Sequence, residues 1–234
     1  MKDRFTSSPD DPDIPDIPDI LDIPDAPNAP NTPDTPVAGN DRGSIAEGII
    51  ARYYPQGSDA GYVLRRHGML VAEAALAIAR RVAGPDPDRS FMRFIGEAAL
   101  LHDIGIFRTR APAIGCTGSH PYVCHGYLGR IILEEHGLPA HALVCERHVG
   151  AGLTAADIRE MNLPVPVRDM LPQTLAEEIV CFADCFFSKT PAPEGTRHST
   201  EDVIAMLAVY GHEKTARFCG WLDRFGPPPQ TASG

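Results

Sequence analysis

A helical stripe that ends on two polar residues constrains this chain more than any other feature. Apolar side chains at Phe91, Phe94, Ile95, Ala98 and Leu101 recur at helical spacing, and the stripe runs into His102-Asp103. Residues three and four apart share one helix face, so His102 continues the buried side rather than the solvated one. Burying an unpaired carboxylate costs several kcal/mol, comparable with the net stability of a small domain. Something positive must therefore meet Asp103, and a metal ion is one answer.

The N-terminal segment is different material. Residues 9–36 repeat Pro at about three-residue intervals, beginning Pro-Asp-Asp-Pro-Asp-Ile-Pro-Asp-Ile, and nine of the 23 prolines lie before residue 40. Each removes a backbone donor and fixes φ, which excludes a helix or central strand. A disordered, acidic, extended tail over 1–42 is expected, followed by one domain over 43–226 and a flexible C-terminus over 227–234.

Charge follows the same division. Nine Asp against Lys2 and Arg4 place −7 of the net −10 in the first 40 residues, leaving the domain at −3. A nucleic-acid surface needs clustered Lys and Arg, so no DNA or RNA surface is expected. No apolar run reaches the length of a membrane span and no apolar signal segment opens the chain, which predicts a soluble, cytoplasmic protein without membrane contact. The six cysteines show no paired CxxC spacing, so reduced, mostly buried thiols are expected.

From residue 44 onward the pattern is helical. Ser44 is placed to cap a helix to Tyr54, Ser58 or Asp59 one that runs to Val82, and Asp88 the helix that carries His102-Asp103. A loop is expected over 109–118, helices over 120–136, 139–149 and 154–162, a Pro-rich loop over 163–172, a helix from Thr174 to Ser188, and a last helix over 200–225 with Gly211 as a weak point. No alternating β pattern of useful length occurs. The fold class is all-α.

Further polar residues fall on apolar faces. His67 shares a stripe with Leu64, Leu70, Val71, Ala74 and Ile78; Asp184 stands inside Ile179-Val-Cys-Phe-Ala-Asp-Cys-Phe-Phe187, the most apolar window of the domain. A lone histidine on such a face is more often a hydrogen-bonded core residue than a ligand. A second inward carboxylate is harder to explain structurally. With His125 and His148, the set holds four histidines and two aspartates, which suits first-row transition metals better than calcium or a thiolate zinc site. Cys181 and Cys185 beside Asp184 read as packing thiols.

The order His67, Leu100-Leu-His-Asp-Ile-Gly105, His125-Gly-Tyr-Leu-Gly, His148 and Ala183-Asp-Cys-Phe resembles the HDIG branch of the HD superfamily of metal-dependent phosphohydrolases, over roughly 58–190. The stretches Ile114–Gly118, Cys145–Leu153 and Asp169–Pro172 also resemble a small, uncharacterised HDIG subfamily. The resemblance implies an HD-domain helical bundle in which His67, His102, Asp103 and Asp184 hold one divalent ion. His125 and His148 would hold a second, with Asp103 bridging. It further implies one or two ions drawn from Mn, Fe, Co, Ni, Zn or Mg, and hydrolysis of a phosphate ester or anhydride by metal-activated water.

The expected substrate is then a small-molecule phosphate of nucleotide type. Ile106 stands where many such proteins carry Lys, and the Gly-Tyr-Pro signature of the cyclic-dinucleotide hydrolases is absent, so that substrate class is disfavoured. The missing cation has candidate replacements in Arg65, Arg66, Arg108, Arg110, Arg147 and Lys189. The arginines are expected mainly on solvated flanks. Lys189, just after Asp184, is the preferred catalytic partner of Asp103. Two other readings share the ligand set: an HD-type di-iron oxygenase and a non-catalytic nucleotide sensor.

Overall fold

Local signals and long-range packing agree over most of the chain. A computed structural model describes residues 45–190 and 197–229. The expected disordered tail, its boundary at 42 and Ser44 lie outside them, as do residues 230–234 of the expected C-terminal segment. The fold is mostly α-helical. Its helices are α1 (Ile45–Tyr53), α2 (Asp59–Ala83), α3 (Arg89–Leu101), α4 (His125–Glu135), α5 (Pro139–Arg147), α6 (Ala155–Glu160), α7 (Leu175–Asp184), α8 (Thr200–Ala208) and α9 (His212–Phe225).

Helix starts follow side-chain chemistry. The Ser58 hydroxyl accepts from the Gly61 amide, Asp88 from Phe91 and Thr174 from Glu177. Each cap satisfies a donor that would otherwise be orphaned, typically worth about 1 kcal/mol. Thr154 with Asp157, and Ser199 with Asp202, form reciprocal capping boxes.

Four departures from the sequence expectation go beyond a residue or two at a helix end. The loop over 109–118 contains a short antiparallel hairpin, β1 (Arg110–Ala111) and β2 (Cys116–Thr117), turned at Gly115 with φ of 74°. Backbone pairing in so short a ladder needs no alternating pattern. The helix expected from 120 begins as a tight turn over Tyr122–Cys124 and becomes α-helical only at His125. The helix from Thr174 stops at Asp184, four residues early. The last helix divides at Gly211, whose φ of 122° no helix can hold.

The main core lies between α2, α3, α7 and α9. Phe182 sits at its middle, with the rings of Phe186, Phe218 and Phe225 at 5.2, 5.1 and 5.6 Å between centroids. A fully buried ring of this kind contributes about 1.5–3 kcal/mol. A second core packs α1 and the start of α2 against Ile104 and Ile106, and a third lies beneath 153–170. Together they hold five helices around the His-Asp turn. Among the described residues no helix is long and apolar enough to cross a membrane.

Candidate metal centre

Five helices deliver polar groups to one point. His67 comes from the middle of α2, His102-Asp103 from the turn that ends α3, and His125 opens α4. His148 follows α5, and Asp184 is the last residue of α7. The four histidines and Asp103 are each at most 3% exposed. Asp184 is more open, with 16% of its side chain exposed.

The structure brings all six together as two groups that share Asp103. His67, His102, Asp103 and Asp184 form one, and Asp103, His125 and His148 form the other, with candidate ligand atoms within 4.8 Å of one another in each. Oδ2 of Asp103 lies 3.4 Å from His67 Nε2 and 3.2 Å from His102 Nε2. Oδ1 lies 3.3 Å from His125 Nε2 and 3.4 Å from His148 Nε2. One carboxylate thus faces both groups, an oxygen to each. Asp184 Oδ1 closes the first at 2.8 Å from His67 and 3.2 Å from His102.

Hydrogen bonds fix which imidazole nitrogen faces inward. Nδ1 of His102, His125 and His148 lies 2.7, 2.6 and 2.7 Å from the carbonyls of Ala99, Tyr122 and Cys145. A carbonyl only accepts, so each Nδ1 carries the hydrogen and Nε2 keeps the lone pair in the neutral ring. Nε2 of His125 and Nε2 of His148 are 3.1 Å apart. Two lone pairs at that separation repel, and a cation between them removes the repulsion. Neither oxygen of Asp103 makes a well-formed hydrogen bond, although the Lys189 ammonium lies 2.8 Å from Oδ2. Oδ1 has no such cation, and a buried acceptor left without a partner costs about 1–3 kcal/mol. The donor set of nitrogen and oxygen, with the second ring nitrogens of three of the four histidines tied to carbonyls, fits a divalent ion of intermediate hardness.

Burial and charge set the protonation of the cluster. Burial lowers His67 to about 4 and His125 to about 3, so both rings stay neutral at ordinary pH. Burial would lower His102 as well, but the carboxylates of Asp103 and Asp184 outweigh it and raise its pKa to about 10. Burial likewise opposes ionisation of Asp103 and Asp184, yet His102 and Lys189 hold both well below the usual carboxylate range. Lys189 is itself raised, because the two carboxylates and Tyr122 overcome its desolvation.

Two glycines allow these helices to meet. A Cβ on Gly105 would fall 2.2 Å from the His125 carbonyl, so only glycine lets the turn after Asp103 press on α4. A Cβ on Gly129 would fall 2.3 Å from Cys145 Sγ, so its absence sets the approach of α4 to α5 and brings His125 to His148. The thiols are not in the ligand groups. Cys145 donates to the His102 carbonyl at 2.8 Å and Cys181 to the His148 carbonyl at 3.3 Å, which pins two ligand-bearing backbones.

Of the candidate arginines, Arg65 pairs with Glu47 at 2.7 Å and Arg147 with the buried Glu177 at 2.8 Å. Arg66 instead lines a cavity of about 230 Å³ that opens on His67 and Lys189. Some contributors carry no sequence signal. The Tyr54 hydroxyl donates to the Ile104 carbonyl at 2.8 Å and braces the His-Asp-Ile-Gly turn. The Tyr122 ring lies against His125, 4.6 Å between centroids. Their apolar neighbours make both look like core aromatics in sequence.

Similar proteins include an uncharacterised protein of Methanocaldococcus jannaschii, 40% identical over 121 residues that cover 50% of this chain and 62% of that protein. Two others are tRNA (cytidine(56)-2'-O)-methyltransferases. That of Picrophilus torridus is 35% identical over 48% of this chain and 29% of its own length; that of Thermoplasma volcanium is 30% identical over 53% and 32%. The chain therefore spans less than two thirds of each relative. No protein-family model matches the chain, and no solved structure does.

These matches correct the functional expectations. The named relatives are transferases acting on tRNA, so the phosphohydrolase function, the hydrolase class and the small-molecule phosphate substrate do not stand. The expected lack of an RNA surface falls with them. Ligand order reports which atoms can hold an ion and not which reaction the ion serves. A net charge is a sum, blind to where individual cations lie.

Proposed function

We propose that this chain is a divalent-metal module of RNA methylation, HD-like in its ligand order, that engages tRNA over the His/Asp centre. The observation that carries the reading is the half-chain shared with two tRNA 2'-O-methyltransferases at 35% and 30% identity. The shared part is under a third of each methyltransferase, which suits a module that presents tRNA to the methyl-transferring part rather than the whole enzyme. His67, His102, Asp103 and Asp184 would hold one ion, and Asp103, His125 and His148 a second.

When bound, the metal supplies fixed positive charge for backbone phosphate oxygens. Lys189 and Arg66 stand at the open side of the cluster, where they add cations at the cavity. The helices keep water from the other sides. A protein with this role works in the cytoplasm, with tRNA.

The test is direct binding of a labelled tRNA transcript to the full chain loaded with Mn²⁺. Saturable binding that weakens as salt rises is expected, since phosphate contacts release counterions. Failure to retain tRNA at low salt would overturn the reading.

A further inference from the structure

The cavity beside the cluster has a built asymmetry. One stripe of α2 forms a wall, because Asp59, Tyr62, Val63, Arg66 and His67 share a helix face. The turn Pro112–Gly115 also lines it, held by its contact with the start of α2: a Cβ on Gly115 would fall 2.8 Å from the Ala60 amide nitrogen. Ser188 and Lys189, just past α7, complete the lining.

The lining chemistry is graded. Lys189 is tied to the cluster, 2.8 Å from Asp103 and 3.9 Å from Asp184. Arg66 makes no ion pair among the described residues, and lies one turn from Tyr62, a residue 67% exposed. An aromatic ring left this open gains nothing from the core. Stacking on a flat partner recovers that surface. Asp59, at the outer end of the stripe, repels phosphate but accepts a hydrogen bond from a sugar hydroxyl or a base amino group. A volume of about 230 Å³ is far too small for a duplex.

From these features we infer that the cavity takes a single unpaired nucleotide of RNA, with its phosphate toward Arg66 and Lys189, its base stacked on Tyr62 and a hydroxyl or amino group on Asp59. This rests on the proposed tRNA role and specifies how the site reads its ligand. Single-stranded loops and ends are the usual targets of such platforms, because their bases can be splayed out onto an aromatic ring.

The experiment measures binding of a short labelled single-stranded RNA, and of the same sequence annealed into a duplex, to Mn²⁺-loaded full chain by fluorescence anisotropy. Tyr62→Ala and Tyr62→Phe are compared, with helicity checked by circular dichroism. Preference for the single strand is expected, with affinity lost about 5- to 150-fold in Tyr62→Ala and retained in Tyr62→Phe. Equal binding of strand and duplex, or an unchanged affinity in Tyr62→Ala, would overturn the nucleotide pocket while the tRNA role stood. Absence of any RNA binding by the wild-type chain would overturn both.

Discussion

His125 and His148 turn their Nε2 atoms toward each other across 3.1 Å, while each Nδ1 donates to a backbone carbonyl three residues earlier. Neither ring can flip to relieve the contact without giving up that bond. The arrangement costs energy in the metal-free chain and is repaid when a cation sits between the rings. Asp103 lies between the two groups, with Oδ2 facing His67, His102 and the Lys189 ammonium and Oδ1 facing His125 and His148.

Metal should therefore stabilise the fold as well as fill the site. Protein purified without chelator should carry first-row divalent ions by elemental analysis, and Asp103→Ala should lose both sites because it faces both groups. Free ion at a hundred times its dissociation constant adds about 2.7 kcal/mol, or a Tm rise of roughly 5–10 °C for a domain of this size. A Tm that chelator leaves unchanged would contradict this.

Gly129→Ala separates the two groups. The added methyl would meet Cys145 Sγ, forcing α4 from α5 and His125 from His148. A cost of about 1–3 kcal/mol in urea denaturation is expected for such overpacking. Ion binding at the His125–His148 group should weaken more than at the His67–Asp184 group, read as a change in metal stoichiometry.

Asp157 should shape the acid limb of stability. Burial opposes its ionisation, but the Thr154 amide and the Lys214 ammonium outweigh burial and lower its pKa below the usual carboxylate value. A folded pKa below the unfolded one gives stability that is complete above about pH 4 and is lost as pH falls through the folded value. Asp157→Asn should flatten that part of the profile in pH-dependent denaturation, and an unchanged acid limb would show the pair to be inert.

Much of this was legible in the sequence because periodicity reports burial. His67, His102 and Asp184 could be placed on inward faces from their apolar neighbours, and Ser58, Asp88 and Thr174 from capping chemistry. What was not legible depends on distance. The hairpin at 110–117 rests on a few backbone bonds, and the brace from Tyr54 to Ile104 joins residues 50 apart in the chain. Gly211 carried a signal for weakness, but only its positive φ turns weakness into a break. The reaction was least legible, since the same histidines and carboxylates serve many chemistries once an ion is bound.

On the proposed role, tRNA is engaged through the metal centre. Affinity for a labelled tRNA transcript, measured at fixed ionic strength with Mn²⁺ and again with chelator, tests it most directly, with Asp103→Ala alongside. Tight binding with Mn²⁺ is expected, lost on chelation and in Asp103→Ala. Equal affinity in all three conditions would contradict it.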